Sequence, residues 1–181
     1  MTARKSSART APAGGETFDC RRAVLQSFAI NEQANQKLIG NLSETAWHAP
    51  PPGAKGRTIA GIACHMHNVR LMWLAAADKS AKMPGKLDHE GSSREEVQAA
   101  LANSALLVAK LLEKGLADPA GRVPNFKPDA VAFAGYLIAH DAHHRGQIVM
   151  LSRQLGAPVP SKISFGLWEW GTLAKESEFS K

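Results

Sequence analysis

The sequence predicts an all-α fold: a four-helix bundle followed by a short C-terminal helical segment. Three observations carry this. Four long segments repeat apolar residues at helical spacing, stretches containing Pro and Gly separate them, and nothing alternates apolar and polar residues as a half-buried strand does. At 181 residues and 44% hydrophobic content the chain can bury one sizeable core. One bundle domain over 17–181 is therefore expected, behind a basic tail over 1–16 that has almost no large apolar residue to bury and reads as disordered.

The first helix spans about Phe18 to Leu42, where Val24, Leu25, Phe28, Ala34, Leu38 and Ile39 recur one turn apart and no Gly intervenes before Gly40. From Ser43 to Gly56 the run Pro50, Pro51, Pro52, Gly53 cannot continue a helix, so the whole segment reads as a loop. Thr58 is a natural N-cap for a second helix reaching about Asp78, and its Met72, Trp73 and Leu74 predict heavy burial. Residues 79 to 92 are polar and hold Pro and Gly, which makes them a surface connection.

Ser93 followed by Glu96 matches a capping box and opens a third helix through Val97, Leu101, Leu107, Leu111 and Leu112, ending near Gly115. After Pro119, Gly121, Pro124 and Pro128, a fourth helix runs from about Asp129 to Leu155, with Gly156 as its stop. The remaining segment predicts one short helix around Phe165 to Leu173, with Trp168 and Trp170 as packing residues and a frayed end.

Composition narrows the function. No run of about eighteen apolar residues exists, so no membrane span is expected, and the opening MTARKSSARTAPAGG lacks the apolar block of a secretory signal. Arg4, Lys5 and Arg9 in the tail supply half of the net charge of +6, so the folded part is only mildly basic and nucleic acid is not an expected partner. Cys20 and Cys64 are far apart and form no CxxC pattern, which suits a reducing, cytoplasmic setting. Cys64 reads as a buried small hydrophobe.

At roughly 100° per residue, Phe133, Leu137, His140, His144, Ile148 and Leu151 fall on one face of the fourth helix. The same wheel groups His65 with Thr58, Gly61, Ile62, Val69 and Met72, and puts His67 nearly opposite. His143 is offset from the pair and reads as a flanking residue. Three inward imidazoles without partners would cost a few kcal/mol each, and one shared cation satisfies all of them. His65, His140 and His144 are therefore the expected ligands of a divalent ion, with zinc and nickel both compatible with the donor set.

The segments IAGIACHMHNVRLMWL and AHDAHHRGQIVML resemble the DinB/YfiT-like family of bacterial four-helix-bundle metalloproteins, over roughly residues 18 to 155. That family's pattern is one His in the second helix, then HxxxHR near the middle of the last long helix. His65, His140, His144 and Arg145 match it, and Gly146 with Gln147 completes the HHRGQ run. The resemblance implies a structural pairing role for Arg145. It also implies metal-dependent chemistry, because the family includes thiol-dependent transferases and isomerases. The C-terminal WEW segment departs from the pattern and leaves the substrate undecided.

Three neutral ligands leave coordination positions for water or substrate, so the expected function is a metal-dependent transferase of the thiol-transfer type, or a hydrolase, acting on a small molecule. The alternative is a non-enzymatic, metal-stabilised bundle in a stress response. The sequence names no general base: Asp129 lies about three turns from His140, Asp141 is expected to point away from the histidine stripe, solvated or paired, and Asn35 is the candidate polar group facing the cavity. The expected partners are a small-molecule substrate or low-molecular-weight thiol, and helices this apolar suggest a homodimer.

Overall fold

The computed structural model describes residues 17–177 apart from residue 54, and the tail predicted over 1–16 lies outside them. Asp19 caps α1 (Cys20–Ile39) by accepting from the backbone N–H groups of Arg21 and Arg22. Thr58 Oγ1 accepts from Gly61 N at 3.0 Å and starts α3 (Ile59–Ala77). Ser93 and Glu96 form the full capping box that opens α4 (Arg94–Ala117). Asp129 accepts from Ala132 N at the start of α5 (Ala130–Gln154), and Gly156, with φ of +73°, ends it.

Two expectations are corrected at the connections. The predicted loop after α1 contains a single-turn helix, α2 (Glu44–Trp47). Its Trp47 is wholly buried and donates from Nε1 to Ser92 O at 3.0 Å, so this large apolar side chain draws in a segment that the prolines rule only from Pro50 onward. The predicted single C-terminal helix is two, α6 (Ser161–Gly166) and α7 (Trp170–Glu176). The bend at 167–169 lets Leu173 turn back and bury fully against Ile30 and Ala34 of α1.

The four long helices form a ring in which α1 neighbours α4 and α5, and α3 neighbours α4 and α5, while α7 lies along α1. Their interior is layered. One apolar cluster holds Leu38, Trp47, Ile59, Met66, Leu101 and Ile148, and a second holds Phe28, Leu71, Leu74, Val108, Phe133 and Leu137. Between the two, every long helix contributes polar groups: Asn31, Glu32 and Asn35 from α1, His67 and Arg70 from α3, Ser104 from α4, and Asp141 and His144 from α5. This midline polar layer positions the functional site.

Candidate metal centre

His140 and His144 stand one turn apart on α5, and α3 supplies His65 from across the groove between those helices. The three residues form the only group among the described residues in which His, Cys or acidic side chains gather to hold an ion, with one ligand atom from each within 4.8 Å of the others. Ring centroids are 4.4 Å apart for His140 and His144, 4.8 Å for His65 and His144, and 5.3 Å for His65 and His140. The ligand set expected from the sequence is thus brought together.

The tautomers favour a cation. His144 Nδ1 lies 2.7 Å from Gln147 Oε1, an acceptor, so the proton sits on Nδ1 and Nε2 presents a lone pair. His140 Nδ1 faces the Asp141 carboxylate, with Oδ1 at 3.6 Å, which likewise places the proton on Nδ1. The two Nε2 atoms then face each other at 3.2 Å, lone pair against lone pair. A tetrahedral zinc ion with bonds of about 2.0–2.1 Å holds its nitrogen ligands roughly 3.3 Å apart, so the spacing fits two ligands of one ion.

Burial pushes the His65 imidazole down to about 4, helped by the charge of Arg57 and by the other two histidines. Burial also lowers His144. Both rings are neutral near pH 7, the form that ligates a metal. Beside them a cleft of about 870 Å³ is lined by Arg57, Ile62, His143 and Gln147, so the groove is open on one side.

Behind His140 sits a buried ionic network. Arg70 Nη2 is 2.7 Å from Glu32 Oε2 and 2.7 Å from Asp141 Oδ2, and Arg70 Nη1 donates to Leu101 O at 3.0 Å. Asp141 Oδ2 also accepts from Asn31 Nδ2 at 2.8 Å and Asn35 Nδ2 at 2.9 Å. The amide oxygens of both asparagines accept in turn from Arg145 Nη1, at 2.7 and 2.6 Å. Burial alone would raise the Asp141 carboxyl, but the Arg70 charge and the hydrogen bonds it accepts outweigh that and hold it well below the usual carboxylate range. Asp141 Oδ1 is buried with no hydrogen-bond partner, and His140 Nδ1 is the donor it faces.

Several expectations change here. Asp141 is paired, as one branch of the reading had it, but fully buried behind a ligand instead of turned toward solvent. Asn35 does not face the cavity; it relays between Asp141 and Arg145. Arg145 has the pairing role that the resemblance implied, though its partners are amides. His67 is not turned away from the core: it is wholly buried, 3.1 Å from Ser104 Oγ and 3.3 Å from Gly85 O, whereas His65 is only half-buried. The first two turns of α3 are apolar on every side, so a helical wheel cannot choose which face looks at α4 and which at α5. Met72, on the supposed inward stripe, is 51% exposed. Trp168 and Trp170 are exposed at 80% and 49% and are not packing residues.

Cys64 is buried, donates to Asp88 O at 3.4 Å and has its thiol pushed up by burial, which suits the inert reading. Asp129 serves as the α5 cap, and His143 lies exposed with its ring 5.0 Å from that of His144. Sequence reasoning missed Arg70 and Glu32. The signal was present: Arg70 is the one charged residue of α3, and a helix surface facing water carries more than one.

A DinB superfamily model matches residues 27–148, and a DinB family model matches residues 129–171. No curated protein and no solved structure matches the chain significantly.

Proposed function

The chain belongs to the DinB superfamily, and from that premise we propose that it holds one divalent metal ion on His65, His140 and His144 and uses it in thiol transfer to, or hydrolysis of, a small electrophilic substrate. The observation that carries this reading is the facing pair of Nε2 lone pairs at 3.2 Å, with the third imidazole beside them and no acidic ligand in the group. A divalent ion supplies Lewis acidity there, lowering the pKa of a coordinated thiol or water and polarising a carbonyl.

The chain's own residues do the rest. Gln147 and Asp141 orient the rings of His144 and His140 and keep their Nε2 atoms available. Arg57 brings a positive charge to the cleft, which suits a substrate or thiol carrying an anionic group. Among the described residues no carboxylate stands ready as a general base, since Asp141 is committed to Arg70 and the two asparagines. Metal-assisted chemistry places the least demand on such a base.

The test is elemental analysis of protein purified without an affinity tag, set beside a His144→Ala variant. One divalent ion per chain, lost in the variant, is expected, together with turnover of thiol or ester substrates that depends on that ion. A parent protein without bound divalent ion would refute the reading. Zinc and nickel remain the two candidates. A metal-dependent rise in melting temperature without turnover would instead favour the non-enzymatic bundle, which the coupling of His140 to the buried ionic network also suits.

A further inference from the structure

On the opposite flank of α5 from the histidines, a groove of about 450 Å³ runs between α1, α5 and the C-terminal helices. That volume is in the range of small-molecule sites, and its walls are apolar, with Ile30, Ile138, Val149 and Leu167 among them. Large apolar side chains that the fold leaves in water collect here: Trp168, Trp170 and Met150 all line it. Scattered exposed apolar residues need no explanation, but three around one cavity do.

The charged groups of this groove are cationic, beside the neutral polar Asn31 and Ser164. Arg145 and Arg153 line it, and no Asp or Glu does. They lie eight residues apart on α5, two turns or about 12 Å, with Val149 between them on the same stripe. Among the described residues neither forms an ion pair. Arg145 spends one nitrogen, Nη1, on the amide oxygens of Asn31 and Asn35 and the backbone oxygen of Asn31, and its Nε and Nη2 have no acceptor among the described residues. A guanidinium offers a planar fork of donors that matches a carboxylate, sulfonate or phosphate. Gly146 lies in the middle of this wall on a helix, where glycine costs stability, and a Cβ there would meet nothing within 4 Å. Its missing side chain leaves the groove open.

We propose that this groove is a second ligand site, separate from the histidine cluster, which takes a small amphiphilic anion. The aliphatic or aromatic body lies between Val149 and Trp168, and the acidic head is held between Arg145 and Arg153. The site does not require that the histidines hold a metal.

Decanoate titration of the full-length protein, followed by tryptophan fluorescence and calorimetry, tests this, with decanol and decyltrimethylammonium as neutral and cationic controls. Saturable binding of one decanoate per chain is expected, at least tenfold tighter than either control and unchanged after removal of divalent metal with EDTA. Arg153→Gln, at an exposed residue that lines this groove and not the cleft beside the histidines, should weaken it at least tenfold, as should Gly146→Leu at a position that borders both. Naphthalene sulfonate and phenyl phosphate in place of decanoate separate the possible acidic heads. The proposal is overturned by equal binding of the three decyl probes, by binding indifferent to Gly146→Leu, or by binding that EDTA abolishes, which would put the carboxylate on the metal. A concentration-dependent dimer that excludes decanoate would also overturn it, by assigning the groove to a second copy of the chain.

Discussion

His140 Nδ1 lies 3.6 Å from Asp141 Oδ1, an oxygen that is buried and has no hydrogen-bond partner. The separation is longer than a hydrogen bond, and a small rotation of the imidazole closes it. His140 would then hold an ion through Nε2 with the carboxylate behind it, and a carboxylate in that place raises the basicity of a ligating histidine and fixes its ring. Asp141→Asn should therefore weaken divalent-metal affinity by about 10- to 100-fold, the range typical of such partners, as read by competition with a chromogenic chelator. Affinity equal to the parent's, in a variant that still folds, would show that the contact does not act on the metal.

The same aspartate belongs to a structural unit. Arg70 is fully buried between Glu32 and Asp141, so removing the arginine strands two carboxylates, whereas removing Glu32 leaves Arg70 paired with Asp141. Arg70→Met should cost about 3–5 kcal/mol in denaturant unfolding, and Glu32→Gln less, because Arg70 keeps Asp141. The double variant Arg70→Met/Glu32→Gln should lose clearly less than the sum of the two, because the stranded partner goes with the first change. Strict additivity would argue against the network.

Acid should act on this fold in two windows. His65, His67 and His144 are all lowered in the folded state, chiefly by burial, His65 to about 4. The unfolded chain then binds more protons below the ordinary histidine value of about 6.5, so the stability these rings contribute is full above that pH and falls as pH drops from there toward 4. Asp141, held below its usual value, contributes stability above about 4 that is lost on further acidification. Metal-free protein should show a falling melting temperature from pH 6.5 downward, with a second, steeper loss below pH 4. The first slope should shrink in a His65→Gln variant. A melting temperature flat between pH 7 and 4.5 would contradict the burial of these imidazoles.

Much of this was readable from local chemistry. Thr58, Ser93 and Asp129 announce three helix starts because capping depends on a residue and its next three neighbours, and the structure uses all three as caps. The histidine set was readable because His140 and His144 share one helix, where spacing alone fixes their relation. The relation of α3 to its neighbours was not. His67 and His65 are both on an apolar helix, and only the packing of α4 on one side and α5 on the other decides that the first is wholly buried and the second half-exposed. The Arg70 network joins all four long helices through contacts 31 to 114 residues apart in sequence, beyond the reach of periodicity.

Two glycines on the bundle should respond in opposite directions to the same change. At Gly115, near the end of α4, an added Cβ would come within 2.9 Å of Ala130 Cβ, 3.0 Å of Val123 Cγ2 and 3.3 Å of Arg122 O. These neighbours are short side chains and backbone that cannot swing aside, so α4 and the start of α5 approach closely only because this position has no side chain. At Gly135, inside α5, a Cβ would meet nothing within 4 Å, and the helix gains only from the lower backbone entropy of alanine in the unfolded chain. Gly135→Ala should thus stabilise by about 0.5–1 kcal/mol. Gly115→Ala should destabilise by about 1–3 kcal/mol, as overpacking does, despite the same gain in helix propensity. Urea unfolding of the two variants checks the pair, and stabilisation by Gly115→Ala would mean that the α4 to α5 contact is looser than these distances state.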